Sequence, residues 1–279
     1  EYAFAPNGIA MDIYVSGVRI ENLTVESVAE GVVLAGTAYV RDMRVVGCYT
    51  GVTVWSPDRV LIEDCLVEDS RDLGLGCWRP AKGGVFRQLV FVGDTTDVLF
   101  SNVDSVEVLD CVMDPETYVQ FQSSSVASVR RCSIRGGLTV TGGSSVELRN
   151  NTIGPDFALG VQVTGSHIWG TGNQLLGGQQ GTLSFNSRAT AALSSNRILN
   201  VGPPSVYVYK DVIPADGPID LRGNWWGTTD AEQIATWIID VNDDAERIHE
   251  VLFEPYAENP VSEKPSSMGG LKSRFRSRN

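Results

Sequence analysis

Histidine is scarce in this sequence, which has only two, His167 and His249, in different regions of the chain. A general base built on histidine therefore has little support. The five cysteines form no CxxC pair and no cluster with metal-ligand spacing, so no zinc site is indicated. Their odd number leaves at least one of them unpaired. No run of 18 apolar residues occurs, so we expect no membrane span.

Positive charge is also scarce, except at the C-terminus. The 279 residues carry a net charge of −12, and the five basic residues after residue 263 have no acidic neighbour, which leaves −17 for residues 1–263. Such a body repels the phosphates of nucleic acid, so we expect no nucleic-acid partner. The chain begins at Glu1 without Met or a signal peptide, which is typical of processed material or of part of a longer protein.

One short segment, Val146–Ile153, recurs along most of the chain. With Asn151 as the reference position, its equivalents stand 19 to 28 residues apart, about 22 on average, which indicates a repeat. The ten reference residues are Leu23, Met43, Cys65, Leu89, Cys111, Cys132, Asn151, Asn173, Asn196 and Asn224.

The positions around the reference residue are equally regular. The residue two places later is always large and apolar, and eight of the ten residues three places earlier are aliphatic. Residues two apart share a face of a strand, so an inward pair three apart requires a corner between them. The position just before the reference residue supplies the corner, because most of its residues adopt turn backbone at low cost. They are Asn22, Asp42, Asp64, Asp110, Asn150, Gly172 and Gly223.

A second strand follows about ten residues later in each repeat, with its outer residues facing in and its middle residue facing out. Examples are Val32–Leu34, Val52–Val54, Leu73–Leu75, Val98–Phe100 and Val119–Phe121. Short strands and polar corners in a period of about 22 residues predict an all-β fold, a right-handed parallel β-helix in which each repeat is one coil. About ten coils at a spacing of ~4.8 Å make a rod on the order of 50 Å long.

The reference column predicts what lies inside the coils. We expect its four asparagines, Asn151 to Asn224, to form a buried stack whose amides bond to one another and to corner backbone. We interpret its cysteines as small apolar fillers, because stacked parallel side chains rarely present the torsion of a disulfide. On the outside, a ladder of alternating charge is expected at Glu21, Arg41, Glu63 and Arg87.

Three regions follow from the pattern. Residues 1–228 are predicted to form the β-helix, with an incoming strand at Ile9–Val15. Residues 229–262 are predicted to form a C-terminal cap, with a helix from Ala231 to about Asp240 and an extended segment at Val251–Pro260. Residues 263–279 are polar and basic, and we expect a mobile tail.

The sequence Gly-Asn-Trp-Trp-Gly at Gly223–Gly227, the acidic helix after it and the closing Phe253–Tyr256 resemble the C-terminal end of bacterial right-handed parallel β-helix repeat proteins. The resemblance is to the pectate-lyase-like superfamily, and to its uncharacterised secreted or surface branch. It implies the fold and a secreted or cell-surface location. It implies no single function, because that superfamily includes lyases, epimerases, hydrolases, phage tailspikes and surface proteins.

Catalytic motifs are not recognisable. The paired Asp residues, Gly-His and Arg-x-Lys that mark the polygalacturonase branch are absent. A calcium-dependent lyase or epimerase acting on uronic-acid polymers is the alternative, with Asp94, Asp114 and Arg131 as its candidate catalytic residues and Ca²⁺ as its cofactor. No metal-ligand motif supports it, so for the favoured function we expect no metal and no cofactor.

A binding function is predicted for the outward side of the second strand. Its uncharged residues form two columns, from Thr53 to Tyr207 and from Trp55 to Tyr209, which can address sugar hydroxyls while aromatic rings stack on sugar rings. The candidate carbohydrate-binding residues are Trp55, Trp78, Tyr118, Gln120, Gln162 and Tyr207. We therefore expect a secreted or surface β-helix that binds a polysaccharide or a cell-surface glycan, or that serves as an adhesive or structural rod.

Overall fold

A computed structural model shows three parallel sheets wound by one chain. It describes residues 8–14, 16–55, 59–78, 83–93, 97–115, 117–154, 160–178, 180–199, 204–210, 217–247 and 249–260. The first sheet comprises Ile9–Ile13, Glu30–Leu34, Thr50–Trp55, Leu73–Trp78, Asp97–Ser101, Val119–Gln122, Leu138–Thr141, Val161–Thr164, Leu183–Asn186, Val206–Val208 and Ile238–Ile239.

The second sheet follows it in every coil, and the third in nine of them. The second sheet comprises Val18–Glu21, Ala38–Arg41, Val60–Glu63, Val85–Arg87, Val106–Leu109, Val126–Arg130, Ser145–Arg149, His167–Thr171, Thr190–Leu193, Ile219–Asp220 and Val251–Leu252. The third comprises Thr24–Glu26, Arg44–Val46, Leu66–Glu68, Val90–Val92, Val112–Met113, Ser133–Ile134, Thr152–Ile153, Gln174–Leu176 and Arg197–Leu199.

Each strand pairs with the strands of the same sheet in the preceding and following coils, so the parallel β-helix is confirmed. The nine strands of the third sheet are separated by about eight full turns of the chain. The tenth repeat, around Asn224, has no third-sheet strand among the described residues. Where that strand would lie, only the bridge between Arg197 and Trp225 links it to the preceding coil. The prediction of about ten coils therefore counts one incomplete coil.

The predicted corner lies between the second and third sheets. All ten residues just before the reference position have positive φ, from 52° at Asp42 to 72° at Gly223. The set includes Gln88, Arg131 and Ser195, which the residue types alone did not mark as corners. The position is therefore imposed by the coil, and Asn, Asp and Gly occupy it most often because they tolerate this backbone most cheaply.

The asparagine stack is confirmed as an internal ladder. Asn151, Asn173, Asn196 and Asn224 are all buried, at 2% exposure or less. The amide Nδ2 of each of the first three donates to the Oδ1 of the next asparagine at 2.9–3.0 Å, and Nδ2 of Asn224 donates to the carbonyls of Leu193 and Leu221. Each Oδ1 also accepts from the backbone N–H of the preceding reference residue. The ladder therefore satisfies the amides and the corner backbone together.

A second internal ladder was not predicted. The hydroxyls of Ser125, Ser144 and Ser166 are buried one above another and accept from the backbone N–H of Val103, Ser125 and Ser144 at 3.1–3.4 Å. Serine is common throughout this chain, so its residue type gave no signal of an inward position.

One predicted strand register was wrong. Leu75, Gly76 and Cys77, and not the triplet Leu73–Leu75, pair with Val52, Thr53 and Val54. The pairing with Thr50–Trp55 is regular, and a bulge between Leu73 and Leu75 gives the strand one extra residue against Asp97–Ser101. All five cysteines are buried and free, which for Cys65, Cys111 and Cys132 agrees with their interpretation as apolar fillers of the reference column.

The C-terminal helix is shorter than predicted. It spans Ala231–Thr236, with Asp230 as its N-cap, and ends before Asp240. The chain then joins the solenoid, because Ile238–Ile239 extends the first sheet and Val251–Leu252 extends the second. The extended segment is likewise only two residues long, since the predicted Val251–Pro260 continues as a strand only to Leu252. The basic tail from residue 263 lies outside the described residues.

Candidate functional site

The candidate residues meet on the outer side of the first sheet, which we call the first-sheet face and define as its outward residues from Thr50 to Tyr209. The register places the predicted middle column in line across eight strands. That column consists of Thr53, Gly76, Leu99, Gln120, Thr139, Gln162, Ser184 and Tyr207. At ~4.8 Å per strand, the face is roughly 34 Å long from Trp55 to Tyr209.

A tryptophan pair marks the N-terminal half of the face. Trp55 and Trp78 pair on neighbouring strands, and their rings stack with centroids 4.9 Å apart and an interplanar angle of 20°. The Trp78 ring turns back along its own strand to cover Gly76, where a Cβ would lie 2.0 Å from Cη2 of the indole. Gly76 is thus the residue that lets the ring lie against the sheet. Trp55 remains 45% exposed.

The next strand of the sheet begins with a carboxylate, Asp97, which pairs with Leu73, whereas Trp78 pairs with Ser101 at the other end of that strand. Asp97 is half-buried, and its Oδ2 accepts from Nε2 of Gln120 at 3.1 Å. Burial raises the pKa of Asp97, and the charge of Asp72 adds to the rise, while hydrogen bonds from the Tyr118 backbone and Gln120 partly oppose it. A desolvated carboxylate on an outward face is a feature typical of functional sites.

Tyr118 completes this group. Tyr118 lies one coil after Asp97, at the equivalent position before the strand. The hydrogen bond from the backbone N–H of Val98 to the Tyr118 carbonyl places the two residues side by side. Burial raises the pKa of the Tyr118 phenol, and the charge of Asp97 raises it further. Tyr118, Asp97 and Gln120 therefore form one polar cluster on the two coils that follow Trp78.

The C-terminal half of the face is less open than the sequence predicts. Gln162 is half-buried and outward, as expected. Ser184 is only 1% exposed and presents no surface hydroxyl. The same is true of Thr53 in the N-terminal half, which is 4% exposed. Tyr207 is covered by Arg247, whose guanidinium lies 4.5 Å from the ring centroid and donates to the phenol oxygen at 3.3 Å. Tyr207 thus serves the packing of the C-terminal segment as well as the face.

The candidate lyase residues lie elsewhere. Arg131 stands at a corner between the second and third sheets, where Nε and Nη2 donate to both carboxylate oxygens of Asp110 at 2.6 and 2.7 Å. Asp114 follows Val112–Met113 at the opposite end of the third-sheet strands, and Asp94 lies outside the described residues. In the described ranges, no three His, Cys, Asp or Glu residues come together as a metal site.

Each of the two histidines has a hydrogen-bond partner within the protein. Nδ1 of His167 lies 2.7 Å from the Thr190 hydroxyl on the second sheet, and burial lowers the pKa of its imidazole. His249 is buried, and its Nε2 lies 2.6 Å from the Ser187 carbonyl. Neither histidine lies on the first-sheet face.

Comparisons with protein-family models, with curated proteins and with solved structures find no match to this chain. Of the residues described, none forms a helix long and apolar enough to cross a membrane.

Proposed function

We propose that this protein is a carbohydrate-binding parallel β-helix, which acts outside the cell and holds a polysaccharide or a cell-surface glycan along its first-sheet face. The observation that carries the proposal is the stacked pair of Trp55 and Trp78 on the outside of a sheet whose outward residues from Gln120 to Thr164 are uncharged amides and hydroxyls. Adjacent aromatic rings on a protein surface form an apolar patch of the kind that marks binding sites.

The pair suits a sugar ring for a physical reason. Each tryptophan of a stacked pair presents one ring face to its partner and leaves its second face available to a ligand. On the next strand, Ser101 pairs with Trp78. A sugar ring presents apolar C–H groups on its faces and hydroxyls at its rim. Its faces can stack on indole while its rim bonds to amide, hydroxyl and carboxylate groups.

The remainder of the face suits a chain better than a single sugar. Gln120, Gln122, Thr139, Thr141 and Gln162 follow the tryptophan pair on successive strands, and all are half-buried and outward. A rigid sheet holds these groups at a fixed spacing, so little of the binding free energy is lost in ordering the protein side chains.

The proposed location rests on the ligand and on the resemblance of Gly223–Gly227 to the ends of bacterial surface β-helix proteins. The state of the cysteines is compatible with an oxidising exterior. All five thiols are buried, and burial raises the pKa of Cys65 and of Cys77 to about 12. Thiols that stay protonated are poor nucleophiles and form disulfides slowly.

Glycan arrays and titration calorimetry with three variants test the proposal. Trp78→Ala should weaken glycan binding about tenfold or more, because it removes the stacking surface. Gly76→Ala should weaken it as well, because the added Cβ displaces the Trp78 ring without removing it. Trp169→Ala is the matched control, since Trp169 is outward on the second sheet and stacks on His167.

Equal loss of binding in Trp78→Ala and Trp169→Ala, with both variants folded, would refute the assignment of the face. Binding of no glycan by the wild-type protein would refute the function and favour a purely structural or adhesive rod. Release of unsaturated product from a uronic-acid polymer, followed by ultraviolet absorbance, would instead establish the lyase alternative.

A further inference from the structure

The first-sheet face carries almost no charge. This property bears on whether the face binds charged or uncharged glycans. The seven strands from Thr50–Trp55 to Leu183–Asn186 contain neither lysine nor arginine. Asp97 is the one charged residue within these seven strands. The described arginines make their ion pairs on the second and third sheets and in the C-terminal region instead.

From this distribution we infer that the ligand of the first-sheet face is an uncharged polysaccharide, whose hydroxyls bond to Asp97 and Gln120 while the tryptophan pair stacks on one of its sugar rings. The inference rests on the proposed function and names the class of glycan that the site takes.

A uronic-acid polymer carries one carboxylate on each sugar near neutral pH. Proteins recognise carboxylates with arginine or lysine, often through paired hydrogen bonds. The first-sheet strands offer no such partner, and the bound polymer would also meet the carboxylate of Asp97 and a chain with a net charge of −12. Removing water from unpaired like charges is unfavourable, so the face selects against uronates.

An uncharged glycan meets no such penalty. The Asp97 carboxylate is an acceptor only, and the Gln120 amide offers both a donor and an acceptor. Gln120 already donates to Asp97 at 3.1 Å, so the two side chains are fixed relative to each other before a ligand arrives. Sugar hydroxyls can donate to the remaining lone pairs of the carboxylate, and hydrogen bonds to a charged acceptor are the stronger kind.

The charge of Asp97 is also unfavourable for the stability of the folded protein. Its pKa is raised, chiefly by burial, so the ionised side chain destabilises the folded protein at neutral pH. Removing its charge should therefore stabilise the protein while it weakens the binding of a neutral glycan. If the residue served only the fold, its substitution would lower both the stability of the protein and its affinity for the glycan.

The test is affinity electrophoresis of the whole protein, which measures its retardation by a polysaccharide in the gel. The gels contain neutral polymers (glucans, mannans or galactans), anionic polymers (polygalacturonate or alginate) or cationic chitosan, each at low and high salt. We expect retardation by at least one neutral polysaccharide, little changed by salt, and its loss in Trp78→Ala. Asp97→Asn should weaken this binding about tenfold. In urea unfolding near neutral pH, Asp97→Asn should be at least as stable as the wild type.

Glu107→Gln is the matched control, because it removes one carboxylate from an outward position of the second sheet in the same region of the solenoid. It should leave the retardation unchanged. Thr139→Lys should add affinity for uronates at low salt, since it places a cation in the middle of the face.

Stronger retardation by a uronate or by chitosan than by every neutral polysaccharide, lost in Trp78→Ala, would overturn this inference and leave the proposed function intact. Unchanged binding in Asp97→Asn would remove the role of Asp97. Retardation by none of the polymers would defeat the proposed function itself.

Discussion

At the scale of single residues, the interior of the solenoid is held by hydrogen bonds that repeat from coil to coil. Asn173 shows the pattern, because its Nδ2 donates to the carbonyl of Leu148 and to Oδ1 of Asn196, both at 2.9 Å. Its own Oδ1 accepts from the backbone N–H and from Nδ2 of Asn151. Removal of one amide therefore leaves buried groups on two coils without a partner.

Asn173→Leu tests this ladder with a residue that the same column holds at Leu23 and Leu89. The volume is tolerated there, but the buried N–H of Asn151 loses its acceptor, so the free energy of unfolding should fall by about 2–4 kcal/mol. Leu89→Met, in the apolar part of the column, is the control and should cost less than about 1.5 kcal/mol. Urea unfolding followed by circular dichroism measures both. Equal costs would show that the ladder does not stabilise the coil.

At the scale of strands and corners, the parts of the fold that repeat could be predicted and the exceptions could not. The corner was visible in Asn150 and Gly172 because their residue types are those that tolerate positive φ. The bulge at Leu73–Leu75 was not visible, since Leu73 and Leu75 are both suited to an inward position. The helix was predicted too long because Ile238 continues its apolar face, whereas tertiary pairing draws Ile238 into the first sheet.

The candidate site shows the same division. The two columns of outward residues follow from strand periodicity, so Gln120 and Gln162 were found. The stacking of Trp78 over Gly76 depends on which rotamer the side chain adopts, and the role of Asp97 depends on burial by neighbouring coils. Neither can be obtained from the spacing of residues along the sequence.

The charge ladder on the second sheet is confirmed by the register of Glu21, Arg41, Glu63 and Arg87. Burial alone would raise the pKa of Glu63, but hydrogen bonds from Tyr39 and Arg87 outweigh it and the pKa is lowered. A carboxylate with a lowered pKa stabilises the fold at pH values above its ordinary pKa of 4.5, and this contribution is lost as the pH falls through the lowered value.

Glu63→Gln should therefore flatten the acid side of the stability profile. We expect the urea midpoint of the wild type to fall more steeply than that of the variant as the pH drops below about 4.5. Glu107→Gln, on the same sheet, should keep the wild-type slope. Parallel profiles for Glu63→Gln and wild type would show that the ladder does not depend on the ionised carboxylate.

At the scale of the whole molecule, one continuous core positions a long outer face that carries almost no charge. Two sheets of 11 strands and one of nine share that core. The excess of negative charge lies elsewhere on the chain, so the first-sheet face differs in character from the body that carries it. A rigid scaffold with one uncharged, aromatic-bearing face is the arrangement expected of a protein that binds a neutral chain.

The most direct test of glycan binding at the first-sheet face is fluorine NMR. Protein labelled with 5-fluorotryptophan is titrated with the neutral polysaccharide that binds. The chain has six tryptophans, and single substitutions assign their signals. The signals of Trp55 and Trp78 should shift or broaden with the glycan, while those of Trp169, Trp225, Trp226 and Trp237 should not. Perturbation confined to the other four tryptophans would place the glycan off the first-sheet face and contradict the account.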